Sequence, residues 1–293
     1  MQESWRLIRR NWRGVRLAWA GRRRFVYRLS DGLGFVCLPE CARSRELFLE
    51  ADGDGIERRF AAGWLEPGDT AWDLGANLGV FTVCFARAVG GGGKVVAVEP
   101  GETARQGLET ALKMLGLSQV TVLPDCIWDQ SGQVQFVSMT GTADVSAWVK
   151  GMAMEGGGVA TVTLDELHER FPVPALIKMD IEGAEPRALG GGSKLLASLD
   201  PPAWIVELYT TGLTRMGFGP GDLLRFFPAS DYDLYAVNFS HPNPMSEIPV
   251  GVVRAIPRPW PERWPNHSNL FALPRRGRFA GRLARVRDLF PGG

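Results

Sequence analysis

The chain has 293 residues, 45% of them hydrophobic and 22% charged, which fits one large globular domain or one domain with appendages. No apolar stretch approaches the ~20 residues that span a bilayer, no signal-peptide pattern occurs at the N-terminus, and the four cysteines follow no zinc-ligand spacing, so we expect buried thiols in a cytoplasmic protein. The net charge of +1 conceals basic ends of +8 (residues 1–28) and +5 (residues 275–290), so the remainder carries −12, which disfavours a nucleic-acid partner.

Strand and helix patterns alternate along the chain from about residue 56. GIERRFAAGWL, VFTVCFARAV and ETARQGLETALKMLG predict helices, the last of them ended by Gly116. Seven apolar segments predict strands: TAWDL, KVVAVEP, VTVLPDCIW, ALIKMD, PAWIVELY, YDLYAVN and NLFALP. GQVQFVSM and VATVTL predict an extra hairpin with a glycine-rich connection. The alternation predicts an α/β fold built on a doubly wound, mostly parallel seven-stranded sheet.

Composition divides the chain into three parts. Residues 1–55 are a basic N-terminal extension, predicted to hold a helix and a short hairpin. Residues 56–274 hold the α/β domain, and residues 275–293 are a basic C-terminal tail.

The stretch WDLGANLGVFT joins the first of these strands to a helix through a glycine turn. Asp73 stands at the strand end, and Glu99 follows Gly79 by 20 residues, at the end of the next strand. An acid at that place in a βαβ unit can bind both hydroxyls of a ribose. The turn lacks the G-x-G-x-x-G spacing of a pyrophosphate site; Asp73 suits a cationic amine instead, and Asn77, near the helix N-terminus, suits a carboxylate. Amine, carboxylate and ribose together predict S-adenosylmethionine, although Asp73 and Asn77 could simply cap the helix.

Four segments carry a resemblance to a known family: LEPGDTAWDLGANLGVFT, VVAVEP, VTLDEL and IKMDIEGAEPRALGG. Together they resemble the FkbM family of S-adenosylmethionine-dependent methyltransferases, over roughly residues 56–210 and more loosely on to NLFALP. KMDIEGAE is the most diagnostic part. The resemblance implies a class I, Rossmann-like methyltransferase domain and O-methylation of a sugar, glycan or polyketide-type hydroxyl, and it does not choose the acceptor.

The cofactor contacts are predicted to come from the glycine turn, the helix after it, and the ends of the next two strands. The predicted residues are Asp73, Gly75, Ala76, Asn77, Gly79, Phe81, Thr82, Glu99, Pro100, Asp125, Cys126 and Ile127. Asp125 is expected to accept a hydrogen bond from the adenine amino group, while Cys126 and Ile127 offer backbone donors and an apolar wall. The alternative for Asp125 is a solvated loop residue.

Catalysis is predicted to depend on carboxylates at strand ends. Asp180 ends the ALIKMD strand, with Glu182 in the loop after it, and a carboxylate there can orient an acceptor hydroxyl or take its proton. The alternative is a structural Asp180 paired with Lys178. Glu207 ends the next strand, so Asp180 and Glu207 could hold Mg²⁺, but no third ligand is evident and a metal-free reaction is favoured.

Other titratable residues are predicted to be structural. Glu185 complements the dipole of the helix that it begins. His168, His241 and His267 follow no metal spacing and are interpreted as incidental.

Apolar stripes lie among the arginines at both basic ends. The N-terminal stripe comprises Trp5, Ile8, Trp12, Val15 and Trp19, and the C-terminal stripe comprises Phe279, Leu283, Val286 and Phe290. Such stripes suit the surface of an anionic membrane, at the inner face of which the protein would then be peripheral. They equally suit packing on the acidic core or on a second subunit, and this second interpretation is slightly favoured.

A second class of function stays open because one fold hosts many functions. The chain could be a differently catalytic nucleotide-binding protein, such as an NAD(P)-dependent reductase, or a non-catalytic binding module. The turn at Asp73 disfavours the reductase, and the presence of Glu99 and Asp180 disfavours a binding module without activity.

Overall fold

An eight-stranded sheet forms the centre of the computed structural model. The residues that the structure describes are 12–29, 32–50, 55–138, 147–152, 158–237, 253–256, 264 and 266–289. From one edge to the other, the strands are β13 (Val253–Ala255), β12 (Tyr232–Val237), β14 (His267–Pro274), β11 (Ala203–Tyr209), β10 (Leu176–Met179), β3 (Thr70–Leu74), β4 (Lys94–Val98) and β5 (Val120–Leu123). The five strands from β11 to β5 are parallel, and β14 is antiparallel to β11 and β12. All seven predicted strands are therefore confirmed, and β13 is an addition.

Helices cover both faces of this sheet. They are α1 (12–20), α2 (Ala42–Glu50), α3 (Gly55–Trp64), α4 (Val80–Val89), α5 (Glu102–Leu115), α6 (Leu164–Arg170), α7 (Glu185–Gly190), α8 (Ser193–Leu196), α9 (Thr210–Arg215) and α10 (Pro220–Leu224). Successive strand residues point to opposite faces, so Ala71 and Val95 join one apolar core while Trp72 and Val96 join the other. The predicted doubly wound fold is confirmed, because the central strands are buried on both faces.

The predicted extra hairpin is part of a second sheet with four strands. Its order is β6 (Cys126–Ile127), β9 (Val159–Val162), β7 (Gly132–Ser138) and β8 (Ala147–Met152). The antiparallel pairing of β7 with β9 confirms the hairpin. Two details of the prediction are wrong. The connection contains strand β8, and VTVLPDCIW is two strands in different sheets, β5 and β6, which are separated at Pro124.

A small aromatic cluster forms within the N-terminal extension. Hairpin β1 (Phe25–Arg28) and β2 (Gly34–Cys37) follows helix α1. The rings of Phe25 and Tyr27 contact that of Phe48 on α2, with centroids 5.0 and 4.9 Å apart. This cluster is continuous with the core under α3 and α4.

The C-terminal apolar stripe packs against the body of the protein. Phe279 and Val286 are buried around two short 3₁₀ helices, Ala280–Arg285 and Arg287–Leu289. The guanidinium of Arg282 donates to Asp69 Oδ2 at 2.5 Å and to Glu66 Oε2 at 2.9 Å. These contacts agree with the interpretation that the C-terminal stripe packs on the acidic core, and membrane contact through this end stays a prediction. Phe290, Trp5 and Ile8 lie outside the described residues.

All four cysteines are buried thiols. Within the described ranges, no helix combines the length and the apolar character that crossing a bilayer requires.

Candidate functional site

Four parallel strands end side by side at one edge of the central sheet. In the spatial order β11, β10, β3 and β4, their carboxyl ends present Glu207, Asp180, the turn at Gly75, and Glu99. Ligands in open α/β sheets bind at this edge. The residues that the sequence predicted for cofactor and catalysis therefore meet along one line.

The two glycines of the turn are required by the protein's own packing. Gly75 has a φ of 78°, and a Cβ there would lie 1.9 Å from the backbone oxygen of Asp180. Gly79 has a φ of 86°, and its Cβ would lie 2.3 Å from Cδ1 of Leu108. A side chain at Gly75 would therefore push apart the turn and the Asp180 loop.

The backbone N–H groups of the turn are all used inside the protein. The donors and acceptors are Gly75 to Val98 O, Ala76 to Val98 O, Asn77 to Glu99 Oε2, Leu78 to Asn77 Oδ1, and Gly79 to Ala76 O. A pyrophosphate site needs such N–H groups aimed at the ligand. This turn therefore does not fit a dinucleotide, and it fits a cofactor that is held through its sugar.

Glu99 holds the turn and the start of α5 together. Its two carboxylate oxygens accept from the N–H groups of Asn77 and Gly101, both at 2.7 Å. Burial raises the pKa of Glu99, while these two hydrogen bonds act in the opposite direction. Each carboxylate oxygen has a further lone pair, so Glu99 can also accept from ribose hydroxyls.

Asp73 and Thr82 support each other inside the protein, and their predicted contact with the cofactor stays a prediction. Both are fully buried, and Thr82 Oγ1 donates to Asp73 Oδ2 at 2.5 Å. Burial raises the pKa of Asp73, although Lys178, with Nζ 3.9 Å from Oδ1, lowers it. The bond between Asp73 and Thr82 ties the end of β3 to the first turn of α4, and it uses only Oδ2 of the carboxylate.

The other predicted cofactor residues surround this turn. Ala76 and Phe81 are nearly buried, and the Phe81 ring centroid lies 5.2 Å from Lys178 Nζ. Pro100 is half-buried, and its carbonyl accepts from Arg105 at 3.0 Å. Their direct contact with a cofactor stays a prediction.

The predicted adenine side lies at the start of the second sheet. Asp125 is half-buried, and burial raises its pKa against the opposing effect of Arg170. Cys126 and Ile127 are buried and pair with β9, which commits part of their backbone hydrogen bonding to that sheet. Burial and pairing therefore favour the predicted role of Cys126 and Ile127 as an apolar wall beside the adenine over their predicted role as backbone hydrogen-bond donors.

Asp180, Glu207 and His267 form a connected polar group at the other end of the line. Lys178 Nζ lies 3.0 Å from Asp180 Oδ2, as the structural alternative for Asp180 expected. Asp180 follows β10 and Glu207 lies on the neighbouring β11, and the negative charge of Asp180 raises the pKa of Glu207. His267 Nδ1 lies 3.3 Å from Glu207 Oε1, and the imidazole stacks on Tyr209 with centroids 4.1 Å apart.

His267 was interpreted as incidental from the sequence, and the structure places it beside a predicted catalytic residue. It begins β14, which runs antiparallel to β11 and pairs His267 with Tyr209. The signal in the sequence was its position at the start of a strand. The neighbour of that strand becomes known only with the sheet order.

The two carboxyl groups are driven to different protonation states. Burial acts to raise the pKa of Asp180, but the ammonium of Lys178 outweighs it and the pKa lies below its usual value. Burial and the nearby charges of Asp180 and Glu185 raise the pKa of Glu207 well above its usual value. The pKa values of the two carboxyl groups are therefore shifted in opposite directions, toward the ionised form for Asp180 and toward the protonated form for Glu207.

The loop after Asp180 is held in a strained conformation. Glu182 has a φ of 62°, which is uncommon for a residue other than glycine. Its carbonyl accepts from Arg215 at 2.7 Å, and Gly183 packs so closely on Gly212 that a Cβ would lie 2.2 Å from the Gly212 carbonyl carbon. Strain of this kind persists where the surroundings fix it, often at functional sites. A direct role of Glu182 in catalysis stays a prediction.

Glu185 supports this loop from below. It begins α7, as expected, and its Oε1 accepts from the N–H groups of Ile181 at 2.9 Å and Gly183 at 3.3 Å. Burial raises its pKa from 4.5 to about 7. Glu185 thus organises the loop without facing the site.

Glu185 should make stability depend on pH. Because its pKa is raised in the folded state, its contribution is complete below the unfolded pKa of 4.5 and is lost as the pH rises through about 7. We expect the free energy of unfolding of the native protein, relative to Glu185→Gln, to fall by on the order of 2–3 kcal/mol between pH ~5 and ~8. Urea titrations at both pH values measure this. The other buried acids titrate in both proteins and cancel, so parallel profiles would contradict the assignment.

A metal site was considered at Asp180 and Glu207. Among the described residues, no group of three or more His, Cys, Asp or Glu side chains is arranged to hold a metal ion. The cationic Nζ of Lys178 already lies beside Asp180.

Comparison with known proteins places this site in a family. The family described as "Methyltransferase FkbM domain" matches residues 73–234, more than half of the chain. Comparison with curated proteins finds no match.

Several solved structures are similar to the chain at low identity. A methyltransferase FkbM from Methylobacillus flagellatus KT is 17% identical, with 78% of this chain and 52% of that chain covered and a TM-score of 0.42. A SAM-dependent O-methyltransferase from Thermotoga maritima is 15% identical (85% and 77% covered, TM-score 0.41), and an rRNA methylase from Streptococcus thermophilus is 12% identical (74% and 93% covered, TM-score 0.43). With the family match over residues 73–234, the chain belongs to the FkbM family of methyltransferases.

Proposed function

We propose that this methyltransferase transfers a methyl group from S-adenosylmethionine to a hydroxyl of a sugar, glycan or polyketide-type natural product. The observation that carries the proposal is the pair at the edge of the sheet. Asp180 pairs with Lys178 at 3.0 Å, its side chain is 38% exposed, and Glu207 lies on the neighbouring strand β11. A neutral hydroxyl donates readily to such a carboxylate.

The two ends of the line have separate tasks. Glu99 and the internally bonded turn fit the sugar of the cofactor. Two strands away, Asp180 can accept a hydrogen bond from the acceptor and align its oxygen with the reacting methyl carbon. S-adenosylmethionine, when bound, supplies an electrophilic methyl group on a sulfonium.

Asp180, Glu207 and His267 offer a route for the proton. As the O–C bond forms and the S–C bond breaks with its electrons left on sulfur, the hydroxyl proton can pass to the Asp180 carboxylate. Glu207 connects Asp180 to His267, whose side chain is 52% exposed and opens to solvent. Because the pKa of Asp180 is low, its main contribution is to position the hydroxyl, and the route to His267 removes the proton afterwards.

The reductase alternative fits the turn poorly. An NAD(P) site needs backbone N–H groups for the pyrophosphate, and the five N–H groups from Gly75 to Gly79 are bonded internally. Isothermal titration with S-adenosylmethionine and with NADH separates the two functions. Binding of S-adenosylmethionine alone supports the proposal, and tighter binding of NADH would overturn it.

The bond formed by the enzyme distinguishes O-methylation of a hydroxyl from other methyl transfers. The assay uses S-adenosylmethionine labelled in the methyl group and a panel of sugar and polyketide acceptors. We expect label in an alkali-stable methyl ether. Label recovered only as an alkali-labile methyl ester, or on nitrogen, would contradict the proposed acceptor chemistry.

Glu99→Ala should weaken S-adenosylmethionine binding by about 1–3 kcal/mol, the usual cost of removing a charged hydrogen-bonding partner. Titration calorimetry measures the affinity, and urea unfolding shows whether the turn is still folded. Glu102→Ala is the matched control, because this exposed glutamate begins α5 three positions further on. Unchanged affinity in a folded Glu99→Ala protein would rule out the ribose assignment.

Methyl transfer should survive removal of divalent cations. The amine of Lys178 supplies positive charge where a metal would otherwise lie, so dialysis against EDTA should leave kcat unchanged. An activity that disappears with EDTA and returns with Mg²⁺ would instead place a metal at Asp180 and Glu207.

A further inference from the structure

Helix α1 turns its apolar side chains away from the protein. Trp12, Val15 and Trp19 are 72%, 52% and 89% exposed, and their spacing of three and four residues places them on one face. They are among the most exposed large apolar side chains of the described structure. Exposure of two tryptophans on one helix face costs solvation free energy, and such a face indicates a partner.

The arginines of the same helix face the protein. Arg16 lies over the ring of Phe25, 4.6 Å from its centroid, and donates to Val26 O at 3.1 Å. Arg13 donates to Leu49 O at 3.3 Å. This arrangement fixes the rotation of α1 about its axis, so the outward direction of Trp12 and Trp19 is built into the fold.

Positive charge surrounds this apolar face. Residues 12–28 contain six arginines and no acidic residue. Three of them, Arg22 to Arg24, follow α1 directly and are exposed. Val26 also lines a groove of about 670 Å³, which is bordered by Arg28 and by three further arginines, Arg58, Arg59 and Arg87.

We propose that α1 seats the enzyme on the surface of an anionic lipid bilayer, with Trp12, Val15 and Trp19 at the level of the headgroups and the adjoining arginines against lipid phosphates. Tryptophan rings favour this interfacial zone, and basic side chains add attraction to anionic lipid. Seating of this kind would present the methyltransferase to acceptors at a membrane. The surface itself does not depend on which acceptor is methylated.

The charge distribution selects a bilayer over other occupants. Two copies of this chain meeting through α1 would bring two strongly basic segments together, which like-charge repulsion opposes. Nucleic acid would need cationic side chains on the outward face of the helix, and that face carries Trp12, Val15 and Trp19. A bilayer interface takes both the apolar face and the basic rim.

The test is flotation of the full chain with vesicles of phosphatidylcholine alone and of equal parts phosphatidylcholine and phosphatidylglycerol. We expect binding to the anionic vesicles, weakened by added salt. Trp12→Ala/Trp19→Ala should lower the partition coefficient at least about tenfold, and Arg22→Gln/Arg23→Gln about thirtyfold at low salt. Leu199→Ala is the matched control, because it removes an apolar side chain that is 87% exposed outside α1.

Binding of S-adenosylmethionine by each variant verifies that it is folded, and the arginine variant tests the surface without touching the tryptophans. The proposal is overturned if the full chain does not float with anionic vesicles, or if both double variants float as well as the native protein. It is also overturned if the tryptophans instead hold two copies together, shown by a dimer that dissociates in Trp12→Ala/Trp19→Ala and ignores lipid. Retention by RNA without flotation would likewise replace the bilayer with a nucleic acid.

Discussion

Asp180→Asn should lower kcat for methyl transfer about a hundredfold or more while leaving the affinity for S-adenosylmethionine nearly unchanged. The carboxylate lies at the acceptor end of the line, two strands from Glu99, so its loss removes the group that aligns the hydroxyl and spares the cofactor end. Asparagine keeps the shape and one acceptor oxygen, so the pairing with Lys178 at 3.0 Å is weakened but not removed. Single-turnover kinetics and calorimetry on one preparation separate the two effects.

Asp129→Asn provides the control for this experiment. Asp129 also pairs with a cation, Arg187 at 2.9 Å, and it lies outside the strand ends of the site. We expect normal turnover in this variant. Normal turnover in Asp180→Asn as well would reduce Asp180 to a structural partner of Lys178.

Gly75→Ala should destabilise the protein by roughly 2–6 kcal/mol, through backbone strain and overlap together. The new Cβ would lie 1.9 Å from the carbonyl oxygen of Asp180, at a φ of 78° that alanine adopts reluctantly. This overlap cannot relax cheaply, because the two atoms nearest to the new Cβ, the carbonyl oxygen and carbon of Asp180, both belong to the backbone. Where the variant still folds, displacement of the Asp180 loop should abolish methyl transfer.

Gly116→Ala is the control that measures backbone strain without steric overlap. Gly116 has a φ of 66° and nothing within 4 Å of an added Cβ, so only the conformational cost, about 1 kcal/mol, applies. Urea unfolding measures both variants. If Gly75→Ala costs no more than Gly116→Ala, the close approach of the turn to the Asp180 loop is not rigid.

The central sheet could be predicted from the sequence because each of its main strands is a short buried apolar run. TAWDL and ALIKMD are covered on both faces, so they lack an exposed polar side and stand out from the helices around them. The positions of Glu99 and Asp180 could be predicted for the same reason, since an acid directly after such a run lies at the carboxyl edge of the sheet.

Sheet order and side-chain direction could not be predicted in the same way. His267 contacts Glu207 across 60 residues of chain because β14 inserts beside β11, and no local pattern specifies that neighbour. The hydrogen bond between Thr82 and Asp73, which ties α4 to the end of β3, could not be predicted from the sequence either.

The two basic ends show that an amphipathic pattern alone does not predict what covers its apolar face. Similar stripes of apolar residues and arginines occur in both, but Phe279 and Val286 are buried while Trp12 and Trp19 are exposed. A stripe reveals that a face is apolar, and only its surroundings reveal what covers it. At the C-terminal end, Glu66 and Asp69 hold Arg282 against the body. At the N-terminal end, Arg16 is held by Phe25 and a backbone carbonyl.

A crystal structure of the full chain with S-adenosylhomocysteine tests the central claim most directly. We predict ribose hydroxyls within hydrogen-bonding distance of the Glu99 carboxylate and the thioether sulfur directed toward the opening between Asp180 and Glu207. The adenine should lie near Asp125 and Ile127. A ligand bound elsewhere, or one whose sulfur points away from Asp180, would contradict the assignment of cofactor and acceptor to the two ends of this sheet edge.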